Sequence, residues 1–201
     1  YYRNYSDKLP QVLLTKFGPN TSQYNLIYPD NISLYGLSLA KNVGGVSVGA
    51  ELSYRHNTPL FAQILGNAAA AGVLPGGETA GPRGNTANGL VNLLGVIPKT
   101  AAFDAATWAT ELVWAHLVSV ESGANLFNGV GYAPCANKDK WDGCVTRNYF
   151  GMSAAFTPTW YQVFPGVDLS APMAVFVGLS GNAPTIFGGN QGNGNYAIGL
   201  G

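Results

Sequence analysis

Hydrophobic and polar residues alternate with period two along most of the chain, and the alternation is cleanest at residues 46–55. There Val46, Val48, Ala50, Leu52 and Tyr54 interleave with Ser47, Gly49, Glu51, Ser53 and Arg55. Successive side chains of a strand point to opposite faces, so this stretch predicts a strand with one apolar and one polar face. A second run at residues 32–43 precedes it, and Asn42-Val43-Gly44-Gly45 supplies a tight turn whose glycines accept positive φ. If Val43 pairs with Val46, then Leu39 meets Ala50, Leu37 meets Leu52 and Tyr35 meets Tyr54. Gly36, Ser38, Glu51 and Ser53 share the other side. Strands of roughly ten residues exceed the five or six of a soluble sandwich and match the length that crosses a bilayer when tilted.

The same pattern places the remaining elements. Residues 1–9 predict a strand and 10–30 a long loop marked by Pro10, Gly18-Pro19 and Pro29-Asp30. Residues 56–84 form a second long connection, with a short helix over 60–71 where alanines dominate. A strand follows at 85–97, a turn at 98–106 and a strong strand at 107–120. In that strand Trp108, Leu112, Trp114, Val118 and Val120 oppose Thr107, Ala109, Glu111, Ala115 and Ser119. A third long loop covers 121–145, a strand 146–157, an aromatic-rich connection 158–166, a strand 167–180, a Gly/Asn-rich loop 182–193 and a last strand from 196.

Connections therefore alternate long and short without exception, as in outer-membrane barrels, where periplasmic turns are short and outer loops long. The expected fold is all-β: an antiparallel up-and-down transmembrane β-barrel. Residues 1–201 form a single barrel domain or part of one. The chain opens and closes inside strand-like stretches, which predicts a piece cut at both ends from a larger barrel. Tyr35, Tyr54, Trp108, Trp160 and Tyr161 are the expected aromatic girdle, and Glu51, Arg55, Glu111, Arg147 and Asp168 the lumen-facing charges.

Composition agrees. Only 10% of residues are charged, against a typical quarter for soluble domains, and the formal net charge is zero. A soluble protein of this kind would tend to associate, whereas the lipid-facing band of a barrel must lack charge. Neutrality argues against nucleic acid, which calls for a clustered basic surface. No run of eighteen apolar residues exists, so a membrane helix is not expected.

Candidate chemistry is sparse. Cys135 and Cys144 have neither CxxC spacing nor a nearby His, which favours a disulfide in an oxidising compartment over a zinc site. Closing so short a loop contributes about 2–3 kcal/mol in the chain-entropy model. The available general bases are His56, expected in solvent, and His116, on the apolar face with no Ser within two residues; the latter reads as an interfacial histidine. Glu51 and Glu111 read as residues of a polar interior rather than a glycosidase pair. The glycines at 188, 189, 192 and 194 open no helix, so no phosphate loop is present, and Asn137, Asp139 and Asp142 lack EF-hand spacing. No enzyme, cofactor or metal is expected.

The stretches LYGLSLAKNVGGVSVGAELSYRHNTPL (34–60) and GCVTRNYFGMSAAFTPTWYQVFPGVDLSAPM (143–173), with YYRNYSDKLP at 1–10, resemble a proteobacterial family of unassigned function. It is the domain-of-unknown-function family thirteen-hundred-and-two. The resemblance implies a gram-negative outer membrane, further strands on both sides, and periplasmic and RND-type exporter partners. It adds no catalytic or ligand residue. The leading expectation is a barrel in the lipid bilayer that passes or binds a small, hydrophobic molecule, with residues 60–73 as a greasy entry site, a plug or a rim helix. The alternatives are a structural or adhesive surface barrel, or a soluble extracellular β-rich assembly subunit.

Overall fold

The computed structural model describes residues 1–8, 10–16, 23–62, 81–185 and 188–201. Its strands are β1 (Tyr2–Tyr5), β2 (Gln11–Lys16), β3 (Gln23–Ile27), β4 (Ile32–Val43), β5 (Val46–Pro59), β6 (Arg83–Ile97), β7 (Ala105–Ser122), β8 (Asn148–Phe164), β9 (Val167–Ser170), β10 (Met173–Ser180) and β11 (Gly194–Ile198). One antiparallel nine-stranded sheet runs β1-β4-β5-β6-β7-β8-β10-β11, with β9 beside β10 on the same edge of β8. The sheet is open. Among the described residues, the outer edges of β1 and β11 pair with nothing.

The β4–β5 hairpin has the register that its turn dictates: Val43 pairs with Val46, Leu37 with Leu52 and Tyr35 with Tyr54. Gly44 and Gly45 take φ of 59° and 84°, a conformation that costs other residues about 1–2 kcal/mol. The alternation of long and short connections also holds, so the long ones gather at one end of the sheet and the short ones at the other.

Three details depart from expectation. The segment 10–30 contains a hairpin, β2 paired with β3. Its few residues per strand gave too short a run to distinguish alternation from loop. The segment 158–164 belongs to β8, which turns only at Pro165-Gly166; Pro158 lacks an amide hydrogen, yet its carbonyl accepts from Ala171 N at 3.1 Å. The strand expected over 167–180 is broken at Ala171-Pro172 into β9 and β10. The helix expected over 60–71 lies, from residue 63 on, outside the described residues; Ala62 makes an antiparallel bridge to Phe127.

Candidate functional site

Strand pairing sorts the side chains into two faces. On one, a row runs Leu39, Ala50, Val91, Leu112, Met152 and Val177 across β4 to β10. Glycines on this face are covered by aromatic neighbours: Trp108 lies across Gly95, and a Cβ on Gly89 would meet Trp114 Cε3 at 3.2 Å. Tyr2, Tyr35 and Tyr54 close the apolar area toward the long loops, with ring centroids 5.0 and 6.5 Å apart. Beyond them the face turns polar, as His56 Nδ1 lies 2.8 Å from Asn85 Oδ1. Asn148 Oδ1 accepts from both Trp114 Nε1 at 3.2 Å and His116 Nδ1 at 2.8 Å, giving these rings a polar anchor. An open apolar hollow of about 760 Å³ crosses this face between Leu39, Leu52, Gly89, Trp114 and Phe150.

The opposite face carries the row Gly49, Asn92, Glu111, Ser153, Phe176 and Asn195 and the row Ser38, Glu51, Leu90, Val113 and Gly151. Tyr1 Oη donates to Glu51 Oε1 at 2.8 Å. Arg55, Thr86 and Leu117 form a third row nearer the long loops.

The described parts of the long connections fold together over that polar face as a cap. Its core is Leu60, Leu117, Phe127 and Val145, joined by Phe61, Val120 and Tyr132. Leu117 and Val120 can both reach it because the β6–β7 register skips Val118: Thr86 pairs with Leu117 but Asn85 with Ser119. A β-bulge turns the following side chains over, so Val120, expected on the apolar face, packs into the cap. Leu60 N to Pro82 O closes the base of the β5–β6 connection, and backbone bonds stitch one connection to the next: Phe61 N to Pro184 O, Asn128 N to Phe61 O and Thr146 N to Asn182 O. The Gln11 amide donates to Leu60 O at 2.9 Å, bringing in the first connection.

Asn182 is the hub. It is 1% exposed; its Nδ2 donates to Lys140 O at 2.7 Å and Cys144 O at 2.8 Å, and its Oδ1 accepts from Gln191 N at 3.0 Å. Cys135 and Cys144 are disulfide-bonded, holding this segment closed. Gly189 sits against the buried Tyr149 ring and Asn190 O against Gly178, leaving no room for a side chain at either glycine. At the junction of cap and sheet, Gln11 Oε1, Arg55 Nε and Tyr149 Oη are buried without a hydrogen-bond partner. Each such group costs about 1–3 kcal/mol.

At the other end, Lys99 Nζ lies 2.6 Å from Asp104 Oδ1, Tyr161 N donates to Asp104 Oδ2 at 3.0 Å and Trp160 Nε1 to Ala102 O at 2.6 Å. The Lys99 bond, then the Tyr161 amide, hold the Asp104 carboxyl below its usual range. A carboxyl depressed on folding stabilises the fold above its unfolded pKa of about 3.9, and that contribution is lost as pH falls through the folded value. An acid titration followed by NMR should therefore place Asp104 below a free aspartate, and Asp104→Asn should remove that portion of the acid dependence. A titration at the ordinary value would show that the turn clasp does not persist in solution.

The expected charges are not gathered at one point. Glu51, Arg55 and Glu111 share the polar face of the sheet. Arg147 precedes β8 with its Nε donating to Leu117 O at 3.4 Å, and Asp168 lies at the short-turn end, accepting from Gln162 N at 2.8 Å. Asn182, Phe127 and Tyr149 had no distinguishing signal in the sequence: an Asn in a Gly/Asn-rich loop looks like its neighbours until the partners arrive from distant segments. Among the described residues, no three His, Cys, Asp or Glu come together as a metal site.

These features define a class: an all-β protein built on one open antiparallel sheet with an apolar face, a polar face and a loop cap. The chain belongs to the family described as Protein of unknown function (DUF1302), whose model matches residues 1–201. No curated protein and no solved structure matched it.

Proposed function

We infer that the sheet is the wall of a transmembrane β-barrel in a gram-negative outer membrane that passes or binds a small, apolar molecule. One observation carries this reading. Across β4 to β11 the apolar face holds no carboxylate between the tyrosine row and the short turns, and its single lysine, Lys41, pairs with Val48 near the turn. A lipid-facing band has that composition.

The stagger of the strands supports it. In the row of Asn42 and Ser47, near the β4–β5 turn, β8 holds Ala155 and continues to Phe164. At the long-loop end, β5 runs past Tyr54 to Pro59, whereas the last β10–β11 pair, Val177 with Gly194, lies in the row of Leu39. Closing a sheet into a barrel requires such a shear. Ser38 and Ser153 are small residues on the polar face, where the Tyr1 ring covers Gly36 and the Asn92 side chain covers Gly49, and Leu90, Leu94, Val113 and Phe176 add an apolar track for the cargo.

The hollow over Gly89 favours a second reading, in which the apolar face packs on another apolar surface of an extracellular assembly, without transport. Fractionation of the native protein with and without detergent, followed by a heat-modifiability gel, separates the two. Extraction only by detergent with a band shift on boiling is the expected result. Solubility in plain buffer would overturn the membrane reading.

A further inference from the structure

Two carboxylates stand on the polar face, and their surroundings differ. On the short-turn side of the row that Arg3 shares with Arg55, the charged side chains on that face of β4 to β8 are Glu51 and Glu111. Glu51 accepts from Tyr1 Oη at 2.8 Å, and Arg55 lies further along the same face of β5. Glu111 is half-buried and, among the described residues, has neither a hydrogen bond nor an ion pair. The amide beside it on β6, Asn92, is turned away over Gly49.

The ladder sets this free carboxylate in an apolar strip. Glu111 pairs with Asn92 and Ser153, so its diagonal neighbours are Leu90 and Leu94 on β6 and Gly151 on β8, with Val113 next along its own strand. Phe176, paired with Ser153, stands in the same row. A carboxylate among such side chains attracts a cation more strongly than one in open water, because less solvent screens it. A second group points the same way. Tyr149 is 3% exposed, its hydroxyl has no hydrogen-bond partner, and it is directed over Gly151, beside the Val113 methyl, at the long-loop end of the strip. Buried hydroxyls are nearly always paired, and a ligand carrying several N–H donors can serve both this oxygen and Glu111.

We propose that the polar face takes lipophilic amines: an apolar body lies along Leu90, Leu94, Val113 and Phe176, and its ammonium group pairs with Glu111. This rests on the barrel reading above, in which the polar face lines the passage, and it names the class of cargo. An apolar carboxylate, such as a fatty acid, meets the same track but brings like charges together, so the face discriminates against it. Glu111 is the specificity-determining residue. Glu51, already engaged by Tyr1 Oη, contributes little to the choice.

The experiment is equilibrium dialysis of the full-length native protein in lipid nanodiscs against adamantylamine, with empty nanodiscs as the blank. Adamantanol and adamantane carboxylic acid serve as probes with the same apolar body. At neutral pH the amine is protonated and the acid ionised. The amine should bind on the order of tenfold more tightly than the carboxylate, with the alcohol between them. Glu111→Gln, which keeps the shape and removes the charge, should abolish that preference, and Glu51→Gln should retain it. Equal binding of amine and carboxylate, no binding of the amine above the blank, or a preference that survives Glu111→Gln would overturn the assignment; if the protein keeps its heat-modifiable band, the barrel still stands. A wild-type protein without that band would overturn the barrel reading and the cargo assignment together. Because the three probes are compared on the wild type, they decide the matter even where Glu111→Gln does not fold.

Discussion

Replacing Leu112 by Arg should destabilise the protein by about 2–4 kcal/mol in lipid vesicles, with Val175→Arg close behind. Both residues are in the middle rows of the apolar face: Leu112 between Val91 and Met152, Val175 between Ala154 and Tyr196. In the isolated chain their side chains are 50% and 41% exposed. An exposed leucine facing water tolerates a charge within about 0.5 kcal/mol, so the size of the effect reports what covers the face. Denaturant titration of both variants in vesicles reads it directly. If both unfold with the wild type, no lipid lies against that surface and the membrane reading falls.

Phe127→Ala should be the most damaging truncation in the loops, costing about 3–5 kcal/mol. Phe127 is fully buried, its ring meets Tyr132 edge-on at a centroid distance of 4.9 Å, and it bridges to Ala62 of another connection. Gly129 lies so close that a side chain there would strike the ring. Nothing nearby can collapse into the space without undoing the bonds that knit the connections together. The loss should be local, since the hydrogen-bonded ladders of β4 to β8 do not pass through this ring. Hydrogen exchange should show amides of 123–147 and 181–193 losing protection while those of β5 to β7 keep theirs. Phe164→Ala at the short-turn end, where the ring is 70% exposed, should change little. Equal effects from the two would show that the cap has no core of its own.

How much of this was legible beforehand differs by element. The β4–β5 register was readable to the residue because a two-glycine turn and a period-two pattern point to the same pairing. Pairing of Cys135 with Cys144 was readable because the two cysteines are close in sequence and no metal ligand competes. Val120 was misplaced because one bulged residue, Val118, reverses the side chains just beyond it, and Val118 looks in sequence like any other strand valine. The β2–β3 hairpin was hidden by the short runs on each side of its connection.

By itself, then, the sequence determined the long strands β4 to β8, the two-faced sheet and the rhythm of its connections. These depend on alternation, turn glycines and chain direction, all of which are local. Tertiary structure alone decided that the described parts of the long connections fold inward on the polar face rather than standing free. That outcome depends on contacts between residues far apart in the chain: Gln11 with Leu60, Phe127 with Ala62, and Asn182 with Cys144. No periodicity encodes such contacts. They exist because apolar residues at the loop bases, too few in any one connection to form a core, can bury themselves only together.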